Sequence, residues 1–176
     1  TVCSSDLFKS FIALDMALHV AHGMRWMGKK TRKAPVIVIA AEGGAGLWRR
    51  IEAWHREHGI DWSACDLYVV PMAVDLGTEA SRVIEAAKGL GVAPGLVVVD
   101  TLSQTFNGDE NSSTDIGDYL RLINTEIRAA FNCTVIVVHH TGQRVRVVLG
   151  VGVGDVRAAG IHAHVAGKGT GRCTGN

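Results

Sequence analysis

Four short apolar runs, each separated from the next by a stretch of helical period, constrain this chain more than any other feature. Residues 36–41, 67–70, 96–100 and 134–139 are rich in β-branched side chains and do not alternate apolar with polar, the pattern of strands buried on both faces. From Phe8 onward, Phe11, Leu14, Ala17, Leu18 and Ala21 recur at helical spacing, and Gly23 stands where a C-cap would end a helix. Leu47, Ile51, Trp54 and His58 mark a second helix, residues 79–88 a third and residues 116–131 a long fourth. Strands alternating with helices imply right-handed crossovers. The expected fold class is therefore α/β, a mostly parallel sheet with helices on both faces.

Composition agrees with a single core. Of 176 residues, 47% are apolar and 20% charged, enough to bury a sizeable interior and too apolar for disorder over most of the length. Eighteen basic residues nearly cancel 17 acidic ones, so charge alone argues for neither a nucleic acid nor a membrane partner. No apolar run approaches the roughly 20 residues of a membrane helix, and no signal-peptide core opens the chain. Cys3, Cys65, Cys133 and Cys173 form no Cys-x-x-Cys pair, which fits reduced thiols and a cytoplasmic location.

The two ends read differently from the middle. Residues 1–7 supply no strand ahead of a helix that begins at once, and are expected to be a non-native or disordered leader. From Gln143 the chain turns to Val, Gly, Ala and Arg with Asp155 as its sole acid and neither period evident. Residues 143–176 are thus expected to be a poorly ordered tail, of the composition a frameshift would give. Within it, residues 145–153 are the stretch whose valines suit an edge strand.

Ligands of open α/β sheets bind beyond the carboxyl ends of the strands. Three of the four predicted strands end in polar groups there: Glu42, Asp100, and the pair His139-His140. Leu96-Val97-Val98-Val99-Asp100 has the four-apolar-then-Asp form of a Walker B strand, whose carboxylate reaches Mg²⁺ or its water. Lys9-Ser10 opens the first helix, where backbone N–H groups and the helix dipole favour phosphate. A Lys-Ser pair there would end a Walker A loop, although the full G-x-x-x-x-G-K-[ST] pattern needs glycines where this chain has Cys3 and Phe8.

The ordered set Lys9-Ser10-Phe11, Ala13 to Ala21, Ala40-Ala41-Glu42-Gly43, Arg49 to Trp54, Val99-Asp100-Thr101-Leu102, Gly108-Asp109-Glu110-Asn111 and His139-His140-Thr141-Gly142 resembles the RepA-like AAA-type ATPases of plasmids and phages. These are hexameric RecA-fold replicative helicases, and the resemblance covers residues 8–142. It implies a RecA-like P-loop NTPase core with its first P-loop strand missing, ATP and Mg²⁺ as cofactors, and single-stranded DNA and a ring of six copies as partners. By position it implies Lys9 on the β- and γ-phosphates, with Phe8 at the last loop glycine. It places Ser10 and Asp100 around Mg²⁺, Glu42 as catalytic base and His140 as γ-phosphate sensor beside His139. Arg50 would contact nucleotide. Without the loop glycines, turnover is expected to be weak or absent. The alternatives are a non-hydrolysing DNA-binding or regulatory module on the same fold, or an inactive gene fragment.

Other patterns read as structural. His19/His22 and His55/His58 have a metal-compatible spacing but no evident Cys or acid partner, and read as solvated helix faces. Asp109, Asn111, Ser113 and Asp115 begin like a calcium loop, but Thr114 replaces its Gly and Leu120 its Glu. Thr114 is then expected to be an N-cap. Trp26, Trp48, Trp54 and Trp62 read as core or interface.

Overall fold

The apolar runs become strands because they are buried on both sides. In the computed structural model, which describes residues 7–41, 44–141 and 144–150, β1 (Val36–Ala40) is buried along its whole length and β3 (Leu96–Asp100) at all but its last residue. With β2 (Leu67–Val70), β4 (Thr134–Thr141) and β5 (Arg144–Gly150) they form one sheet in the order β2-β1-β3-β4-β5. The first four strands are parallel. In the register Ala40 lies beside Asp100 and Asp100 beside Val138, so the carboxyl ends of β1, β3 and β4 share one edge.

Pleating sends alternate residues to opposite faces, and the two faces are covered by different helices. On one, Val36, Val38, Ala40, Leu96, Val98, Ile136 and Val138 pack against α1 (Leu7–His22) and α2 (Gly44–His58). On the other, Ile37, Ile39, Val97, Val99, Val135 and Val137 pack against α3 (Leu76–Gly89), α4 (Leu102–Thr105) and α5 (Ser113–Ile123). The α/β expectation is met. Ala13, Ala17 and Ala21, four residues apart on α1, are nearly or fully buried, and their small side chains let this helix lie close across β1, β3 and β4.

Element boundaries follow local chemistry. Gly23 ends α1 with φ +70°, its N–H bonding to the Val20 carbonyl at 3.1 Å, and a Cβ there would lie 2.8 Å from the Lys33 Cβ. The expected C-cap is in place. Asp75 caps α3 through the Gly77 N–H. The N-cap of α5 is Ser112 and not Thr114: the Ser112 hydroxyl accepts from the Asp115 N–H and donates to the Asp115 carboxylate at 2.8 Å. This N-cap, in which the Ser112 hydroxyl bonds to both the backbone and the side chain of Asp115, starts the helix ahead of the predicted residue 116. After Ile123 the helix runs through one π-helical segment, Asn124–Arg128, before a last turn, α6 (Ala129–Phe131), closes at left-handed Asn132. Buried Ile127 lies in the π segment.

One expectation at the far end is corrected. Residues 144–150, predicted to lack a defensible strand period, form β5, antiparallel to β4 with Arg144 opposite Thr141 and Gly150 opposite Val135. The valines favour the pleat, as anticipated for an edge strand in that stretch. The leader, residues 1–6, and residues 151–176 of the tail lie outside the described residues. Among the described residues, no helix is long and apolar enough to cross a membrane.

Candidate active site

The amino end of α1 meets the carboxyl ends of β3 and β4. Lys9 and Ser10 fall in the first turn of α1, where N–H groups lack helical partners and the dipole is positive. Packing of α1 against the sheet carries both residues to the strand ends. The Ser10 hydroxyl donates to Asp100 Oδ1 at 2.8 Å, and Lys9, only 9% exposed, reaches the His139 carbonyl with its Nζ at 3.4 Å. A buried ammonium requires acceptors around it, and this one is held at the end of β4. Asp100 is fixed in turn by four buried residues that precede it in β3. The peptide bond that follows, Asp100-Thr101, is cis.

Lys9, Ser10, Asp100 and His139 therefore come together at one sheet edge. Val138 pairs with Asp100, so His139 is one residue beyond that register. The His139 Nε2 lies 3.2 Å from the Glu110 carboxylate, which comes from the loop ahead of α5. Glu110 belongs to the Gly-Asp-Glu-Asn stretch, yet no role for it follows from sequence, because only the fold lays that loop over β4. A hydroxyl, a carboxylate and an ammonium at one edge form an arrangement suited to a phosphate chain and a hard cation.

The remaining predicted residues fall as follows. Glu42 lies outside the described residues; Ala41, just before it, donates its N–H to the Asp100 carbonyl at 3.0 Å. His140 is placed by its backbone in β4, opposite Val145, while its side chain is outside the described set. Phe8 is 61% exposed on the first turn of α1. The Arg50 guanidinium stacks over the Phe11 ring, 4.3 Å from its centroid, and so lies against the residue next to Ser10 on the α1–α2 face. Cation–π stacking of this kind fixes a guanidinium's plane.

Behind the site, α1 is tied to its surroundings by Asp15. Its two carboxylate oxygens accept from the indole N–H groups of Trp26 and Trp54, each at 2.8 Å, and His19 Nδ1 lies 3.2 Å from Oδ1. Of the histidines expected on solvated faces, His19 and His55 are instead buried, at 8% and 5% exposed, His22 is half-buried and His58 is exposed. They pack round Trp54, which stacks on His58 at 4.0 Å and on His22 at 5.6 Å between centroids. Trp48 and Trp62, 44% and 47% exposed, lean against each other at the surface and are not core residues.

Comparison with known proteins adds one match. A family model described as an AAA domain matches residues 2–145. No curated protein matches the chain. The match spans more than half of the sequence and coincides with the parallel sheet and the site just described. The chain thus belongs to the AAA domain family, nucleotide-binding ATPases with a RecA-like α/β core.

Proposed function

We propose that this domain is the ATP-binding and hydrolysing motor core of a RepA-like DNA helicase acting in plasmid or phage replication. The observation that carries the reading is the meeting of Lys9 and Ser10 with Asp100 and His139 at the carboxyl edge of the sheet. The ordered motifs along residues 8–142 supply its finer part, including single-stranded DNA as substrate, assembly as a hexameric ring and a cytoplasmic setting.

The donor set suits Mg²⁺: the Ser10 hydroxyl and Asp100 carboxylate are hard oxygen ligands already 2.8 Å apart, and this cation takes oxygen in preference to nitrogen or sulfur. Ser10 and Asp100 would hold it. Bound with ATP, it would supply positive charge to offset the negative charge that develops on the phosphates. Lys9 binds the β- and γ-phosphates from the positive end of α1, trading the His139 carbonyl for phosphate oxygens. Glu42 orients the attacking water as general base, and His140 senses the γ-phosphate beside His139, whose ring Glu110 positions. Arg50, stacked on Phe11, contacts the nucleotide in this reading.

The loop glycines of a full P-loop are replaced at Cys3 and Phe8, so the backbone there has less freedom to turn its N–H groups onto phosphate, and turnover is expected to be slow relative to binding. Equilibrium titration of the full chain with a fluorescent ATP analogue, with and without Mg²⁺, followed by single-turnover hydrolysis, tests the reading. Mg²⁺-dependent binding lost in Lys9→Ala supports it, and binding with no effect of Mg²⁺ or of Lys9 overturns it. Single-stranded DNA added to the same assay tests the helicase assignment: DNA that alters neither ATP affinity nor turnover overturns it.

A further inference from the structure

At the opposite edge of the sheet the fold assembles a second set of donors. His22 is the last residue of α1, His55 lies in the final turn of α2, and Cys65 follows the 3₁₀ turn Trp62–Ala64 ahead of β2. One ligand atom from each lies within 4.8 Å of the others. We propose that His22, His55 and Cys65 form a binding site for a borderline divalent transition metal, zinc in class, distinct from the nucleotide site and separated from Lys9 by 13 residues of α1, about 20 Å of helix.

The geometry suits that ion. His22 Nε2 and His55 Nε2 are 3.0 Å apart, whereas two imidazole nitrogens on one tetrahedral zinc, at its usual bond length, stand about 3.3 Å apart. A thiolate and an imidazole on the same ion stand about 3.6 Å apart, within the span of the three atoms. His55 Nδ1 sits 2.8 Å from the Ile51 carbonyl, which only accepts, so Nδ1 is the donor there and Nε2, facing His22, is the nitrogen left for an ion. A ring N–H donated to a backbone carbonyl is the usual support behind a metal-bound histidine.

The surroundings complete the argument. Trp54 stacks parallel to His22 and Trp62 packs on His55, so aromatic walls fix both ring planes. Two nitrogens and one sulfur exclude Mg²⁺ and Ca²⁺, which take oxygen, and favour zinc. Three protein ligands leave the fourth position to solvent. The ion would clamp the ends of α1 and α2 to the start of β2.

The test uses the untagged full chain under reductant and without nucleotide, so that it is independent of ATP binding. Zn²⁺ is titrated in competition with a chromophoric chelator, and Co²⁺ is used as a spectroscopic substitute. One equivalent is expected to bind, with a thiolate-to-cobalt charge-transfer band and tetrahedral d–d bands. Cys65→Ser and His22→Ala, at partly exposed positions, are each expected to weaken binding by more than about 100-fold, beyond the effect of losing a supporting residue. Cys133→Ser, at a buried thiol on the other face, is expected to leave it unchanged. Absence of a thiolate–cobalt band in the unmutated chain, or a band that persists in Cys65→Ser, would overturn the proposal, and the first of these requires no variant to fold.

Discussion

Ser10 and Asp100 are 90 residues apart in sequence, yet the hydroxyl of one donates to the carboxylate of the other at 2.8 Å. The contact joins the first turn of α1 to the last residue of β3, and it exists because both the helix and the strand are packed into the centre of the fold. Neither residue is bound to its role by local structure. A helix-start serine and a strand-end aspartate meet only through the crossing of α1 over the sheet.

Replacing Ser10 by Ala removes the hydroxyl and keeps the helix. Binding of Mg²⁺-ATP is expected to fall at least about tenfold, with ATP in the presence of chelator bound nearly as before, since only the cation's ligand is lost. Asp100→Asn is expected to act in the same direction. Isothermal titration with and without Mg²⁺ checks this, and an equal loss under both conditions would assign Ser10 to the helix rather than to the cation.

Lys9→Ala should weaken ATP whether or not Mg²⁺ is present. A charge-assisted hydrogen bond contributes about 1.5–3 kcal/mol, or roughly 10- to 150-fold in Kd at 1.4 kcal/mol per decade. The same change takes a donor from the His139 carbonyl at the end of β4, so thermal stability without nucleotide is expected to fall by only about 0.5–1.5 kcal/mol. A loss of stability as large as the loss of affinity would make Lys9 structural.

Much of this arrangement was legible in the sequence, and the exceptions have physical causes. Asp100 is readable because four apolar residues ahead of it can only be a buried strand, and parallel strands put their carboxyl ends on one edge. The α1 register is readable from Ala17, Leu18 and Ala21. Ser112 was missed in favour of Thr114 because several polar residues in a row each suit an N-cap, and the Asp115 partner decides among them. β5 was legible only as a stretch whose valines suit an edge strand, because Arg144, Arg146 and Gly150 interrupt them, and its place beside β4 is a tertiary matter. The same holds for Glu110 against His139, and for Cys65, which reaches His22 across 43 positions through the packing of two helices and a strand start.

Asp15→Ala should destabilise the domain by about 1.5–3 kcal/mol, because two indole N–H groups lose a charged acceptor at once. Asp118 is the control: its pairing with Arg121 lies between exposed side chains, and such pairs are worth about 0–1 kcal/mol. Urea midpoints at constant slope measure both. Equal effects of the two substitutions would show that the Trp26–Asp15–Trp54 bridge contributes no more than a surface contact.

Alkaline pH should unfold the domain through two buried acids. Burial raises the Cys133 thiol from its ordinary 9.0 to about 11, and burial raises the Tyr119 hydroxyl, which bonds to Thr105 at 2.7 Å, from 10.0 to about 12. In each case the folded chain keeps a proton that the unfolded chain has released. The unfolded state binds fewer protons across that interval, so stability falls as pH rises. The contribution is fully present below pH 9 for Cys133 and below pH 10 for Tyr119, and is lost as pH climbs to about 11 and about 12. Cys133→Ala is expected to lower stability at neutral pH, since it removes a buried sulfur, while flattening the decline that begins near pH 9. Tyr119→Phe should leave that first decline and flatten the one above pH 10. Urea midpoints collected from neutral pH upward give both slopes, and a decline unchanged in Cys133→Ala would show that this thiol ionises as freely in the folded chain as in the unfolded one.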